Sequence, residues 1–191
     1  LCDLSDTLAK DVIAPVEAPD LYLYGTGGIR FLTQVNTRKL NALTSLCRQG
    51  WIEAVEIGTL IAPEDYLVDG VKLTDLEAGK TVIELKNTIG KYYDFGDENT
   101  YFVGSIANIK TGNYNRNFAA AGYVKVVLLT GETVTILADA HSDNIAEAAQ
   151  RVLDQHGATL DAGQIKILNN YINGISNGEP YVEPVEPAPE A

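Results

Sequence analysis

The sequence is poor in the side chains that most catalytic and metal sites use. Its 191 residues contain no methionine, two cysteines, two histidines and one tryptophan. Two cysteines, Cys2 and Cys47, do not make a disulfide framework, and their spacing matches no metal motif. Cys47 falls on the apolar side of a predicted helix, which favours a free buried thiol, and a bridge to Cys2 is the alternative. Cysteine usage therefore does not identify the compartment.

Neither histidine has the sequence setting of a catalytic base. His141 lies beside Ser142 and Asp143, but the members of a hydrolytic triad converge from different elements rather than from adjacent positions. We interpret this cluster as a helix start, where Ser, Asp and Asn side chains act as caps. His156 precedes Gly157 at a predicted helix end, where positive charge suits the helix dipole. We predict that the protein is not an enzyme, and a hydrolase is the least favoured class.

Basic residues and long apolar runs are also scarce. There are 26 acidic and 14 basic residues, for a net charge of −12. An acidic surface repels phosphate backbones, so we expect no nucleic-acid partner. No apolar run approaches the roughly 20 residues that a membrane span needs, so we expect no membrane insertion. The Gly25–Gly28 turn lacks the lysine and the βαβ setting of a phosphate loop, and we predict no cofactor.

The two ends differ in composition from the middle. The chain begins at Leu1 and has no methionine, so we expect a fragment or a processed product. Residues 1–20 are poorly patterned and read as an N-terminal extension. Residues 176–191 carry four prolines among glutamates and no basic residue, which predicts an extended, solvated linker. The predicted domain is therefore residues 21–175.

Hydrophobic alternation dominates the middle of the chain. We predict one or two strands in 21–35 and further strands at 51–63, 80–87, 91–95, 100–109, 118–129 and 133–139. A helix is predicted at 36–50, and two more at 141–157 and 160–174 carry capping-box spacings. This order predicts an α+β domain: an antiparallel β-sheet or sandwich with one inserted helix and two C-terminal helices.

Residues 108–126 crowd asparagines, a tyrosine and an arginine in front of an apolar strand. In one interpretation the asparagines tie down an irregular crossing and Arg116 pairs with a carboxylate. In the other, Tyr114 is a stacking platform and Asn115 and Arg116 hydrogen-bond to a ligand. We favour the structural interpretation, because a turn followed by a strand already accounts for each residue type.

Exposed aromatic rings are the second candidate binding feature. A flat ring stacks on the apolar face of a sugar, although sheet proteins also use tyrosine widely on strand faces. Trp51 is the candidate of most interest because it is the one tryptophan. The aromatic candidates are Tyr22, Tyr24, Trp51, Tyr66, Tyr92, Tyr93, Tyr101 and Tyr114.

Oxygen-bearing side chains also gather in the segment 94–99. Asp94, Asp97 and Asn99 could supply the hard ligands that calcium prefers. Their spacing fits no EF-hand, so we favour a solvated hairpin loop over a calcium site.

Three motifs resemble a known module. They are GIRF (28–31), EIGTLIAPEDYL (56–67) and GSIANIKTGNYNRNFAAAGYVKV (104–126), and QIKILNNYI (164–172) fits the end of the pattern. The module is similar to one that recurs in secreted, multidomain surface proteins of Gram-positive, clostridia-like gut anaerobes. The resemblance covers roughly residues 21–175 and implies an extracellular, cell-surface location and no activity. Ala121 stands where the pattern often has arginine.

These observations favour a non-catalytic accessory or adhesion-type module of a multidomain cell-surface protein. Its expected partner is a cell-wall or dietary glycan, or another surface protein. The alternative is a carbohydrate-binding module that uses exposed tyrosines and Trp51.

Overall fold

The computed structural model describes residues 13–16, 23–24, 27–87, 93–94 and 98–177. Several sequence predictions fall outside these ranges: those on Cys2, Tyr22, Tyr92 and Asp97, and the linker beyond residue 177.

Ten strands within the described ranges form two antiparallel sheets. The strands are β1 Ile13–Val16, β2 Leu23–Tyr24, β3 Gly28–Asn36, β4 Ala54–Pro63, β5 Ile83–Asn87, β6 Tyr93–Asp94, β7 Asn99–Ile106, β8 Phe118–Val127, β9 Thr133–Leu137 and β10 His141–Asp143. The first sheet has the order β1-β3-β7-β6, and β2 also pairs with β3. The second sheet has the order β10-β8-β4-β5, and β9 also pairs with β8.

Three α-helices lie in the described part of the chain: α1 Thr37–Arg48, α2 Ile145–His156 and α3 Ala162–Ile172. Helix α1 joins the two sheets in sequence, while α2 and α3 follow the last strand. The predicted α+β class, with antiparallel sheets, one inserted helix and two C-terminal helices, is confirmed. None of these helices combines the length and the hydropathy that a bilayer crossing requires.

A side chain caps the N-terminus of each of the three helices. The Lys39 N–H donates to Asn36 Oδ1 at 3.1 Å at the start of α1. Asp161 and Gln164 form the predicted reciprocal capping box at α3. The Glu147 N–H donates to Asn144 Oδ1 at 2.8 Å, so Asn144 caps α2. Each cap satisfies an N–H that the first helical turn leaves unpaired.

The interpretation of residues 141–143 as a helix start was wrong. These residues form β10 and pair with β8 in the register His141↔Ala120 and Asp143↔Phe118. The N–H of Asn144 donates to Asp143 Oδ1 at 2.9 Å. In a full capping box the Glu147 side chain would accept this hydrogen bond. Polar residues before an apolar helix are also compatible with a short edge strand, and the sequence pattern does not separate the two cases.

The two sheets face each other, and helices cover opposite ends of the space between them. At one end α1 packs on both sheets in a cluster that includes Val35, Leu40, Leu43, Ile57, Phe102 and Val124. At the other end α2 and α3 pack in a cluster that includes Ile29, Phe31, Ile61, Ile145, Ala148 and Tyr171. The first turns of α2 thus face the core through Ile145, Ala146, Ala148 and Ala149, which are buried.

The two sheets are in close contact at two glycine–threonine pairs. A Cβ on Gly122 of β8 would lie 2.3 Å from Thr33 Cγ2 of β3. A Cβ on Gly104 of β7 would lie 2.5 Å from Thr59 Cβ of β4. Each sheet therefore contributes one glycine and one threonine, and any larger side chain at either glycine would push the sheets apart.

Thr59 combines this contact with an unpaired hydroxyl. The residue is 1% exposed, and its Oγ1 has no hydrogen-bond partner among the described residues. A cavity of about 10 Å³ lies beside it, lined in part by Thr33, Thr59 and His141. This volume is close to the minimum that one water molecule needs.

The outer face of the second sheet is covered by the segment 64–82. Short 3₁₀ turns at Glu64–Tyr66, Val68–Gly70 and Leu73–Asp75 fold this segment back over the strands. Leu73 and Val82 of the segment pack against Ala62 and Ala121 of the sheet. The second sheet is therefore buried on both faces along part of its length.

We expect the substitution Gly122→Ala to destabilise the fold by about 1–3 kcal/mol, because the new methyl group overlaps Thr33. Urea unfolding followed by circular dichroism measures the change. Gly112→Ala is the matched control, since a Cβ there meets no atom within 4 Å. Equal unfolding midpoints for both variants would contradict the proposed close contact.

We expect Thr59→Val to raise the free energy of unfolding by about 1 kcal/mol, because valine keeps the shape and removes a buried, unpaired hydroxyl. Thr59→Ala is the control: it also removes the hydroxyl but deletes atoms that contact Gly104. Thermal unfolding should rank valine above threonine and threonine above alanine. A valine variant less stable than the parent would show that the hydroxyl is hydrogen-bonded, for instance to a water in the small cavity.

Candidate functional site

Trp51 lies in the turn between α1 and β4. Gly50 ends α1 with φ of 75°, and the Trp51 N–H donates to Leu46 O at 3.0 Å. The strand predicted from residue 51 begins at Ala54 instead. The Trp51 residue is 69% exposed, and Leu129, in the turn after β8, is 62% exposed. We call these two residues the Trp51–Leu129 surface, because the pairing Ala54↔Val127 brings their two segments to the same end of the second sheet.

The residues 114–116, by contrast, precede β8 at the other end of the same strand pair. The ladder between β4 and β8 runs from Ala54↔Val127 to Pro63↔Phe118. Ten residues of extended strand span about 30 Å. Trp51 and the predicted ligand-binding residues Tyr114, Asn115 and Arg116 therefore do not form one site.

The prediction of Tyr114 as a stacking platform needs correction. Tyr114 is 4% exposed, and its ring meets Tyr171 of α3 edge to face, with ring centroids 5.6 Å apart. The Gly27 N–H donates to the Tyr171 hydroxyl at 3.2 Å, which joins the start of β3 to the same cluster. Burial raises the pKa of the Tyr114 hydroxyl. Tyr114 therefore belongs to the core beneath α3, and no ring face is open to a ligand.

Residues 114–117 lie in a turn before β8 begins at Phe118. Asn115 is exposed in this turn. Asn117 is half-buried and bonds in two directions. Its Nδ2 donates to Glu64 Oε2 at 2.8 Å, and its Oδ1 accepts from Asn144 Nδ2 at 2.6 Å. One asparagine side chain thus connects the end of β4 to the cap of α2.

Arg116 pairs with Asp65 across 51 positions of sequence. The guanidinium Nη2 lies 2.9 Å from Asp65 Oδ2 and Nε lies 3.2 Å from Oδ1, so the pair is bidentate. The guanidinium also lies 5.5 Å from the ring centroid of Tyr66. We call these three residues the Arg116 clamp. Arg116 holds the pKa of the Asp65 carboxyl below its usual value.

The Arg116 clamp fits the structural interpretation of the crowded stretch. The guanidinium is already paired through a fork-to-fork contact and an aromatic face, which are its two favoured modes of contact. It ties the turn before β8 to the first 3₁₀ turn of the segment 64–82. Tyr66, 42% exposed, remains the one other solvent-facing ring among the aromatic candidates whose side chains are described. Tyr101 is buried.

The group His141, Ser142 and Asp143 lies along one extended strand. Successive side chains of a strand point to opposite faces, so Ser142 and the other two residues face different ways. Asp143 is 2% exposed and forms an ion pair with Arg151 of α2. Burial raises the pKa of the Asp143 carboxyl, and Arg151 opposes that effect. The His141 ring meets Phe31 edge to face at 6.3 Å.

The residues described around the calcium candidate give it no further ligands. Asn99 opens β7 and Asp94 ends β6, while Asp97 lies outside the described ranges. In the part of the chain that the structure describes, no three His, Cys, Asp or Glu side chains gather closely enough to hold a metal ion. Cys47 is a free, half-buried thiol whose Sγ lies 3.4 Å from Glu53 O.

A further polar group, which the sequence reasoning missed, lies on the outer face of the second sheet. Glu84 Oε1 accepts from the Tyr123 hydroxyl at 2.9 Å and from Lys125 Nζ at 3.3 Å. The Tyr123 hydroxyl is the main reason that the pKa of Glu84 lies below its usual value. Burial, followed by the Glu84 contact, raises the pKa of Tyr123 well above its usual value. The sequence shows that Tyr123 and Lys125 alternate along β8 and so share one face of the strand. It does not show their partner, because Glu84 lies 39 positions from Tyr123.

We expect Asn117→Ala to cost about 1–2 kcal/mol of unfolding free energy, because it removes two side-chain hydrogen bonds from a half-buried position. Asn115→Ala is the matched control: the residue type and turn are the same, but the side chain is exposed, and the change should stay within about 0.5 kcal/mol. Chemical unfolding of both variants tests this. An Asn115 variant as unstable as the Asn117 variant would contradict the assignment of the structural role to Asn117.

No protein-family model matches the chain, and no curated protein matches its sequence. The roles of the Trp51–Leu129 surface, the Arg116 clamp and the Glu84 group therefore depend on their own geometry and chemistry.

Proposed function

We propose that the chain is a non-catalytic accessory or adhesion-type module of a multidomain, extracellular cell-surface protein. Its motif resemblance to modules of Gram-positive, clostridia-like anaerobes supports that setting. The observation that carries the binding role is the exposure of Trp51. It is the one tryptophan of the chain and is 69% exposed, next in space to the end of the sheet that carries Leu129.

The exposed Trp51 side chain leaves apolar area in contact with water. Each square ångström of apolar surface that a partner covers contributes about 25 cal/mol, and tryptophan offers more such area than other side chains. The ring of Tyr114, by contrast, is buried, because Tyr171 of α3 packs against it. The fold buries Tyr101 and Tyr114 of the candidate set and leaves Trp51 exposed, so the Trp51 ring is available to a partner.

The second candidate function is carbohydrate binding through Trp51. A freely exposed indole ring is the group that stacks on the apolar face of a pyranose, and hydrogen bonding from nearby polar side chains would orient the sugar. The partner is then a cell-wall or dietary glycan. Adhesion to another surface protein uses the same exposed ring as an anchor.

The polar groups of the His141, Ser142 and Asp143 cluster have structural contacts in the fold. Asp143 neutralises Arg151, and His141 packs against Phe31 at the edge of the second sheet. Ser142 lies between them on the same extended strand, so its side chain points to the other face of the sheet. The non-catalytic proposal rests on these engagements and on the sequence setting of both histidines.

We expect Trp51→Ala to reduce retention on insoluble cell-wall glycan at least tenfold without lowering the melting temperature, because the ring contributes little to the core. Pull-down on purified wall material measures retention, and fluorescence of the single tryptophan reports contact in the parent chain. Tyr66→Ala is the control, since it removes another exposed ring at the opposite end of the sheet. Unchanged retention of the Trp51 variant would contradict the proposed surface, and hydrolysis of the wall material would contradict the non-catalytic role.

A further inference from the structure

We propose that a pocket on the outer face of the second sheet binds a neutral sugar residue. The pocket has a volume of about 280 Å³ and lies between the strands and the segment 64–82. This volume lies just below the usual range for ligand sites, about 300–1,000 Å³, which suits a single small ring. The inference deepens the proposed binding function, because it takes the ligand class from there, but it concerns a different surface from Trp51.

The apolar wall of the pocket is built from two directions. Leu60 of β4 lines it from the sheet, while Leu73, Leu76 and Val82 line it from the covering segment. Leu73 and Val82 are themselves buried against Ala62 and Ala121, so the wall is packed on its far side. Leu60 and Leu76 are only partly buried, so they present the open part of this fixed apolar wall to the C–H groups of a ligand.

The polar side of the pocket is held in place by its own hydrogen bonds. Glu84, Tyr123 and Lys125 line it, and both donors meet the same oxygen of Glu84. Gly58 provides the room: a Cβ there would lie 2.5 Å from the Tyr123 hydroxyl. The Lys125 ammonium also lies 5.4 Å from the centroid of the Tyr123 ring. The polar groups are therefore ordered before any ligand arrives, which lowers the entropic cost of binding.

Charge selects the ligand class. Lys125 Nζ lies 3.3 Å from Glu84 and 3.6 Å from Glu56, and Lys86 Nζ lies 3.4 Å from the same Glu56 carboxylate. The row alternates in sign and has no net charge. The carboxylates would repel an anionic ligand, and Lys125 would repel a cationic one. A hydroxyl group donates to a carboxylate and accepts from an ammonium, so it can use both.

The two sides of the pocket together define a ligand with hydroxyls on one face and C–H groups on the other. A neutral pyranose has that distribution. Thr74 and Thr135 add hydroxyls to the lining, and each can donate or accept as the sugar requires. The chemistry thus points to one uncharged sugar residue, free or at the end of a glycan.

The test is a titration of the full chain with three matched sugars, followed by ¹⁵N-resolved NMR. The probes are methyl glucoside, which is neutral, glucosamine, which is cationic, and glucuronic acid, which is anionic. We expect methyl glucoside to shift the amides of residues 73–84 and 123–125, and both charged sugars to bind at least tenfold more weakly. Stronger binding of either charged sugar would overturn the charge argument.

Two variants connect the shifts to the pocket. Thr135→Val keeps the shape of an exposed residue and should weaken binding several-fold, and Lys125→Met should weaken it at least tenfold. Lys86→Met is the control, because Lys86 belongs to the same row of charges but does not line the pocket. Binding that is equal in all four proteins, or no shift of the pocket amides at saturating methyl glucoside, would overturn the proposal.

Trp51 fluorescence, recorded in the same titration, separates this proposal from the function on which it rests. Pocket shifts with unchanged fluorescence support the pocket independently of the Trp51–Leu129 surface. A fluorescence change without pocket shifts overturns the pocket and leaves the Trp51 proposal standing.

Discussion

The close approach of the two sheets at Gly104 and Gly122 is the constraint on which the rest of the described structure depends. Stacked sheets usually lie about 10 Å apart, with side chains from both faces filling the gap. Here Thr33 and Thr59 rest directly on glycine backbone of the opposite sheet. Such a contact fixes the separation of the sheets at their centre. The larger apolar clusters then form on either side of it, and helices cover each cluster at its end.

A second set of interactions holds the surface segments against the two sheets and α2. The Arg116 clamp fastens the start of the segment 64–82 to the turn before β8, and Asn117 fastens that turn to the cap of α2. The same segment, fixed at its start, forms the apolar wall of the outer-face pocket. The exposed clamp contributes modest stability by itself. Its larger effect is on position, because a bidentate pair fixes both distance and orientation.

The sequence was most informative where a structure depends on neighbouring residues. The capping box of Asp161 and Gln164 follows from local chemistry and is present. The sequence could not identify Asp65 as the partner of Arg116, or the glycine–threonine contacts, since these pair residues brought together only by the tertiary fold. The prediction of a helix start at residues 141–143 was wrong for a related reason. A polar stretch before a helix is compatible both with a cap region and with an edge strand.

The different environments of Tyr114 and Trp51 follow from the same strand geometry. Strands β4 and β8 are paired over their full length, so residues that flank the pair at its two ends are held about 30 Å apart. At one end α3 lies over Tyr114 and converts a predicted binding ring into core. At the other end α1 ends at Arg48, and Trp51, which follows it, is exposed. Two aromatic residues that flank the same strand pair therefore have opposite environments, because α3 covers Tyr114 at one end of the ladder and α1 leaves Trp51 uncovered at the other.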